Sequence, residues 1–477
     1  MFWANLLHIY QPPTQTEKML SQITSESYNQ IIKALKINPR AKLTMNINAS
    51  LSELFVEYKY HKLIDDIKFL LKNGQLELTD SAAYHPFLPL IPKNEIIRQI
   101  QLNNIINKKI FGKYYNPKGF FSPELAVSKE IIHIVEDLGY EWMIFDELAF
   151  DPEKGSPQYD RIYRINNTNM IGFFRDREIS FKILSAQLES GDIFLSEIEK
   201  TYNDEKYLST AMDGETFGHH RLGLELLLFD IFKSDKIVTE QYQNIPKYFM
   251  KEDRVNVKDS TWALLPIELL RNQPYKRWYN DENEINVKQW DFTYFAIKEI
   301  NNSPYKVEDP KITRKKEILS KEQKQWLKAR YNLDKAIHSD QYWWASARPW
   351  WSIDMIDRGA SEIKNSILLL PNISDNIRNK AIESYKDIIV SSFRLQGEGI
   401  IDDMIKNYDE EASEIIETKS LEANPKEYDR VIEHLRRQML EAADKENFKK
   451  AIEYRKRIEN LREKQKNIIS NLESKKL

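Results

Sequence analysis

From Met1 to about Lys233, short apolar runs alternate with longer stretches of helical spacing. This alternation constrains the fold more than any other feature of the chain. FWANLLHIY, KLTMNINAS, LELTD, GFFSPE, EWMIFDE and YLSTAMDGE read as strands. LSELFVEYKYHKLIDDIKFLLKNG reads as one helix stopping at Gly74, and IIRQIQLNNIINKKIF, SKEIIHIVEDLGY and LGLELLLFDIFK read as further helices. RIYRINNTNMIGFFRDRE predicts a hairpin turning near Asn166 and Asn167. Repeated strand-helix units of this length predict a parallel sheet. The polar residues decide its form. His8 to Gln11, Asn46 to Asn48, Glu77, Glu124, Asp146 and Asp213 all fall at the C-terminal ends of expected strands. In a closed βα barrel those ends meet on one face. An open doubly wound sheet commonly carries a glycine-rich phosphate loop, and neither GxGxxG nor GxxxxGK[ST] occurs. The prediction is therefore an α/β chain led by a barrel.

From about Arg314 the pattern turns helical, with an aromatic cluster in HSDQYWWASARPWW. Asn424-Pro425 marks a linker into a charged tail with two short helical runs. The expected domains are a barrel over 1–312, a helical domain over 313–420 that completes the cleft, and a helical hairpin and tail over 421–477. The formal charge of −3 gives no reason to expect a membrane or nucleic-acid partner. The chain has no cysteine, so disulfides and thiolate metal sites are excluded. MFWANLLHIYQ lacks the basic start and cleavage site of a secretory signal, and no run of about twenty apolar residues occurs, so the expected location is cytoplasmic.

Two stretches carry chemistry. In KGFFSPELAVS, Glu124 follows two phenylalanines and Pro123, so its carboxyl sits where desolvation can tune its pKa. Its other reading is an acid near the start of the helix after Ser128. In AMDGETFGHHRLG, Asp213 lies too far upstream to cap the helix near Leu222. Two lone carboxylates on different strands suit glycoside hydrolysis, where one attacks the anomeric carbon or activates water and the other protonates the leaving oxygen. Ten tryptophans and twenty-four tyrosines offer flat faces for sugar rings, and equally for protein packing.

His8-Ile9-Tyr10-Gln11-Pro12, Gly74-Gln75-Leu76-Glu77 leading to His85-Pro86, Ser122-Pro123-Glu124, Asp213-Gly214-Glu215 and the His338–Trp351 stretch occur in that order. Together they resemble the successive signature regions of glycoside hydrolase family 57, over roughly Met1 to Ser352. The resemblance implies an incomplete (β/α)7 barrel plus a helical domain, and a retaining mechanism on α-glucans, as in α-amylases and 4-α-glucanotransferases. Carried over, Glu124 is the nucleophile and Asp213 the acid/base, with the Asp213 pKa raised near a charged Glu124. His8, Tyr10, Gln11, Glu77 and His85 contact sugar or order the site, and Asp340, Trp343 and Trp344 close the cleft from the helical side. The family often has a second histidine where this chain has Tyr10; tyrosine can donate and stack but carries no positive charge near neutral pH.

Asp176, with Arg175, reaches the cleft or forms a salt-bridged turn. Trp262, Trp278, Trp290, Trp350 and Trp351 are sugar platforms or packing. His219 and His220 are substrate-binding candidates. His8, His85, His219, His220 and Asp213 could make a metal set, but no HxxEH or HExxH spacing occurs, so no metal and no other cofactor is expected. The tail resembles the UVR motif, with an apolar face of Leu435, Met439, Ala442, Phe448, Ala451, Ile452, Ile458 and Leu461. That resemblance implies protein docking or self-association through 425–466. Lys449, Lys450, Arg455, Lys456 and Arg457 are interleaved with acids, so nucleic acid is a minor reading. The competing view of the whole chain is a non-catalytic glucan-binding protein that recruits a partner through this hairpin.

Overall fold

The computed structural model describes residues 1–407, apart from 189, 204 and 315–317, and scattered positions between 432 and 466. Ten strands are described: β1 (Phe2–Ile9), β2 (Leu43–Ile47), β3 (Leu76–Thr79), β4 (Gly119–Phe120), β5 (Trp142–Asp146), β6 (Ile162–Ile165), β7 (Ile171–Arg175), β8 (Tyr207–Asp213), β9 (Val238–Glu240) and β10 (Glu252–Val255). One sheet runs β3-β2-β1-β8 and the other β10-β6-β7-β5-β4. A parallel bridge between Asp80 and Phe120 joins β3 to β4. On the other side the Asp176 amide donates to the Ser209 carbonyl across 2.7 Å, so β7 meets β8. Seven parallel strands thus go round an incomplete (β/α)7 barrel in the order β1, β2, β3, β4, β5, β7, β8. β9 extends the lower edge of β1 through Phe2–Ala4. The β6–β7 hairpin turns at Asn167, where φ is 62°.

The barrel interior is apolar and aromatic. Leu6, Trp142, Phe173, Tyr207, Ala211 and Tyr242 are buried there together. Tyr242 plugs the lower end: its hydroxyl reaches the Ala4 and Thr210 carbonyls at 3.1 Å, and its ring stacks on Trp142 at 5.4 Å. Gly119 is needed because of this packing. A β-carbon there would stand 2.0 Å from a ring atom of Trp142. Gly119→Ala should therefore destabilise the fold by about 1–3 kcal/mol through overpacking, read as a lower denaturant midpoint at unchanged m-value.

Two elements differ from the sequence expectation. The expected long helix is two, Ala49–Glu57 and His61–Lys72. Lys59 turns left-handed between them, at φ 62°, and the Tyr60 amide closes back on the Phe55 carbonyl at 2.8 Å. The strand expected over GFFSPE stops after Phe120. Pro123 has no N–H to pair, and the chain makes a 3-10 turn over Pro123–Leu125 with Glu124 at φ 61°. That turn aims Glu124 away from the ladder and into the barrel mouth.

Met1–Glu398 form one compact unit and Gly399–Leu477 another. Within the first, the helices Glu284–Asn301, Lys321–Ala336, Ile353–Leu368 and Asp375–Gly397 make the helical part. In the second, Ile432 and Ile458 are buried, Met439 and Ala451 are half-buried, and Phe448 and Ile452 are exposed. The linker at Asn424-Pro425, and Leu435, Ala442 and Leu461 of the expected apolar face, lie outside the described residues. No helix among the described residues is long and apolar enough to cross a membrane.

Candidate active site

The site is built at the C-terminal mouth of the barrel. Register places His8 beside Asn46 on β2 and beside Asp213 on β8. His8 Nδ1 lies 2.8 Å from Asn46 Oδ1, and its ring stacks between His85 and Phe121 at 4.9 and 4.6 Å. Burial lowers its pKa to about 4, against the raising effects of Asn46 and Asp340, so His8 is neutral. His85 is also neutral, its pKa pushed well down by burial and by His8. The Tyr10 ring stacks on His85 at 4.1 Å, and its hydroxyl donates to Asp340 across 2.9 Å.

Glu124 has both carboxylate oxygens engaged. Trp262 Nε1 donates to one at 2.8 Å and Ser339 Oγ to the other at 3.1 Å. Ser339 gives its only proton to Glu124, so the 2.9 Å contact with His85 Nδ1 requires the proton on that nitrogen. Burial raises the Glu124 pKa to about 8, helped by Asp340 and Asp213, while the two donors oppose the rise. Asp213 is raised to about 6 by burial, with the Arg175 cation opposing and Asp340 adding. The expected elevation of Asp213 is therefore present, but burial is its main cause, and Glu124 is lifted further. The Asp213 carboxylate accepts no hydrogen bond among the described residues. Arg175, 1 % exposed, lies under the site. It binds Asp146 at 2.7 Å and the carbonyls of Ala211 and Trp262 at 2.9 and 3.2 Å, tying β5, β8 and the Trp262 segment together.

Several expected site residues serve elsewhere. Glu77 lies level with Leu6, below the His8 layer, and takes the Thr44 hydroxyl at 2.8 Å. It orders the barrel interior and does not face the cleft. Asp176 caps the helix Arg177–Leu184, accepting the Ile179 amide at 2.7 Å and the Tyr202 hydroxyl. Neither Asp176 nor Arg175 forms a solvated turn. Gln11 is 8 % exposed and donates to Tyr28 and Glu215 at 3.2 and 3.1 Å, which leaves it behind the site. His219 pairs with Glu26 at 2.5 Å, and His220 is exposed; neither joins the Glu124 cluster. Trp278 and Trp290 are packing, not platforms: Trp290 stacks on Tyr342 at 4.0 Å and Trp278 on Phe87 at 4.7 Å. Trp343 and Trp344 stay partly exposed, Trp343 against Trp278 and Trp344 with its ring across His338. Trp350 is half exposed, and Trp351 donates to Gln396.

Of the five residues weighed as a metal set, His8 and His85 stack together and Asp213 lies beside His8, but His219 pairs with Glu26 and His220 is exposed. A different trio, His85, Glu124 and Asp340, offers ligand atoms within 4.8 Å of one another. Each member already has a hydrogen-bond partner, in Ser339, Trp262 or Tyr10. The sequence offers little sign of Tyr28 or Glu362, whose partners lie far away in the chain; His338 and Ser339 sit inside the quoted His338–Trp351 stretch, but nothing local singles them out. Glu215 sits inside the quoted Asp-Gly-Glu run, and adjacency to Asp213 is the signal that could have singled it out.

The parallel barrel thus gathers two partly buried carboxylates, neutral imidazoles and aromatic faces at one mouth. Residues 5–224 match the model of Glycosyl hydrolase family 57, and residues 429–464 match the UvrB/uvrC motif. The stretch that carries most of the barrel thus matches the family 57 model, and a stretch matching the UVR motif follows it. Over 144 residues the chain is 27 % identical to an alpha-amylase of Pyrococcus horikoshii, covering 30 % of this chain and 22 % of the relative. Over another 144-residue alignment it is 25 % identical to a 4-alpha-glucanotransferase of Thermococcus litoralis, covering 30 % of this chain and 21 % of that one. The match thus spans about a fifth of the length of these curated relatives. Among solved structures, the Thermococcus litoralis 4-alpha-glucanotransferase has a TM-score of 0.60 at 17 % identity, covering 78 % of this chain and 60 % of that one. A GH57 branching enzyme from Thermococcus kodakaraensis has a TM-score of 0.61 at 15 % identity, covering 82 % and 96 %. At these identities the likeness is one of fold.

Proposed function

We propose that the chain is a retaining α-glucan-active enzyme, a hydrolase or a 4-α-glucanotransferase. Glu124 acts as nucleophile and Asp213 as acid/base. The observation that carries this reading is the contrast between the two carboxylates. Glu124 is held at both oxygens by donors, which orient it for attack and favour its anion against the burial that raises its pKa to about 8. Asp213 accepts no hydrogen bond among the described residues and is shifted by burial and nearby charge alone, which leaves it able to give and take a proton. In the first step Glu124 attacks the anomeric carbon while Asp213 protonates the departing oxygen. In the second, water or a sugar hydroxyl gives its proton to Asp213 and displaces Glu124. His8 and His85, both neutral, can donate or accept toward sugar hydroxyls. Asp340, Trp343 and Trp344 flank the cleft from the helical side. The curated relatives named alpha-amylase and 4-alpha-glucanotransferase agree with the substrate class. The tail, through its UVR match, docks a protein partner or a second copy of the chain.

The test is intact-protein mass spectrometry after incubation with 5-fluoro-α-glucosyl fluoride, on wild type and Glu124→Ala. A one-sugar mass gain in wild type alone supports the reading. No adduct, and no turnover of maltooligosaccharides, would favour a glucan-binding protein instead. Longer products from maltooligosaccharides indicate transfer, and only shorter ones indicate hydrolysis.

The pair also sets a pH profile. Catalysis needs one proton shared between Glu124 and Asp213. Their pKa values, about 8 and about 6, leave the pair singly protonated between those limits, with the proton mainly on Glu124, so the productive form with the proton on Asp213 is the minor one in the free enzyme. kcat/KM should peak near neutrality, falling below about pH 6 as both carboxyls protonate and above about pH 8 as both ionise. A profile flat from pH 5 to 9 would remove the pair from the chemistry.

A further inference from the structure

His338 has no part in the two-carboxylate scheme, yet it is among the most buried titratable groups of the chain, at 0 % exposure. Its ring lies between two acids. Nδ1 stands 3.5 Å from Asp340 Oδ2, and Nε2 stands 3.4 Å from Glu362 Oε2 on the helix Ile353–Leu368. Neither contact has hydrogen-bond geometry, so they are ion-pair separations. The Trp344 ring meets the imidazole edge to face at 5.3 Å. The backbone holds the residue against the barrel: Pro86 and His338 form an antiparallel bridge, and the Ser339 amide donates to the His85 carbonyl at 2.8 Å.

We propose that His338 is a positioning residue, a buried imidazolium clamped between Asp340 and Glu362. It keeps Asp340 fixed as the acceptor for the Tyr10 hydroxyl. Tyr10 then stays stacked on His85, beside Ser339 and Glu124. The proposal rests on the reading of Glu124 as nucleophile given above. The electrostatics require the clamp. A neutral imidazole would leave Asp340 a buried anion close to Glu124 and Asp213, both of which it already destabilises as charged groups. Burial alone would lower the His338 pKa, but the Asp340 and Glu362 carboxylates outweigh it and lift the value to about 9. Asp340 moves the other way: burial opposes ionisation, and His338 leads the groups that hold its pKa down. The charged and titratable groups around His338 are Asp340, Glu362 and His85, with Tyr10 and Glu124 beyond Asp340.

The experiment uses the full chain labelled with ¹⁵N-histidine. The chain has eight histidines, and imidazole nitrogen shifts report the protonation of each. One imidazole should remain doubly protonated at pH 8. Its titration midpoint should fall by at least about one pH unit in Glu362→Gln, a substitution at a partly exposed side chain. kcat on maltooligosaccharides should fall about tenfold in Glu362→Gln and about tenfold to a hundredfold in His338→Gln, with KM within about threefold. The clamp is overturned if every imidazole is neutral at pH 8, or if Glu362→Gln moves none of them. The positioning role is overturned if kcat is unchanged in both variants. If His338→Gln does not fold, the wild-type and Glu362→Gln titrations still decide. If the wild type turns over no α-glucan, the proposed activity fails, while the titrations still read the clamp.

Discussion

Glu124→Ala is expected to lower kcat on maltooligosaccharides by about 10³-fold or more, with the unfolding midpoint little changed. The size follows from the role. A nucleophile that forms the glycosyl bond has no substitute within the site, and removing such a group costs orders of magnitude where removing a contact costs a factor of ten. The small effect on stability follows from the setting. Glu124 carries a pKa pushed up to about 8, chiefly by burial and by Asp340 and Asp213, so the fold gains nothing from its charge. Truncation frees the Trp262 indole N–H and the Ser339 hydroxyl at the barrel mouth, where water can reach them. The same truncation opens a space of roughly carboxylate size above Phe121. A small anion such as azide should enter it, restore turnover and leave a glycosyl azide of inverted anomeric configuration. Activity within tenfold of wild type, or rescue without an azide product, would exclude Glu124 as nucleophile. Asp213→Asn should behave differently. Substrates with a good leaving group need no proton in the first step, so with them the loss should appear mainly in release of the sugar.

The barrel is legible in the sequence because burial imposes a period. Parallel strands covered on both faces give short, nearly continuous apolar runs, and the helices between them give the longer pattern. The strand ends of β1, β2 and β8 therefore locate His8, Asn46 and Asp213 correctly. Glu77 is misplaced for a simple reason: β3 is four residues long, and a shift of two residues along it separates the mouth from the interior. Asp176 is misread because a carboxylate after a strand looks the same whether it serves a ligand or caps the next helix. Glu124 itself is found from its neighbours, Pro123 and the two phenylalanines. Its left-handed backbone is not legible, since nothing local distinguishes a strand that continues from one that stops at Phe120. The least legible part is the second layer. Ser339 approaches Glu124 across 215 residues of chain, and Arg175 holds Asp146, β8 and the Trp262 segment at once. Such contacts arise from topology, which periodicity does not encode.

Arg330→Met is expected to destabilise the first compact unit by about 3–5 kcal/mol, the largest stability effect we expect of any single substitution described. Arg330 is buried at 1 % exposure on the helix Lys321–Ala336. It binds Glu95 of the barrel helix Lys93–Phe111 at 2.7 and 3.1 Å, and Asp334 at 2.8 Å. Arg98 completes the set, reaching Asp334 and Asp309, each at 2.7 Å. Methionine fills similar volume, so packing is largely kept and the change isolates the charge. Removing Arg330 leaves the Glu95 carboxylate buried with only the Asn301 amide and the weaker Asn94 contact, and buried ions without a counter-charge are costly. Asp334 retains Arg98 and is affected less. Glu95→Gln in the Arg330→Met background should recover most of the loss, because the unpaired charge goes with it. If the single and double variants unfold at the same denaturant concentration, packing rather than charge accounts for the loss. The network also bears on activity. The helix that carries Arg330 leads directly into His338, Ser339 and Asp340, so loosening it shifts the Ser339 donor relative to Glu124. kcat of Arg330→Met should therefore fall with rising temperature well before the unit unfolds, and Glu95→Gln should move that onset back toward wild type.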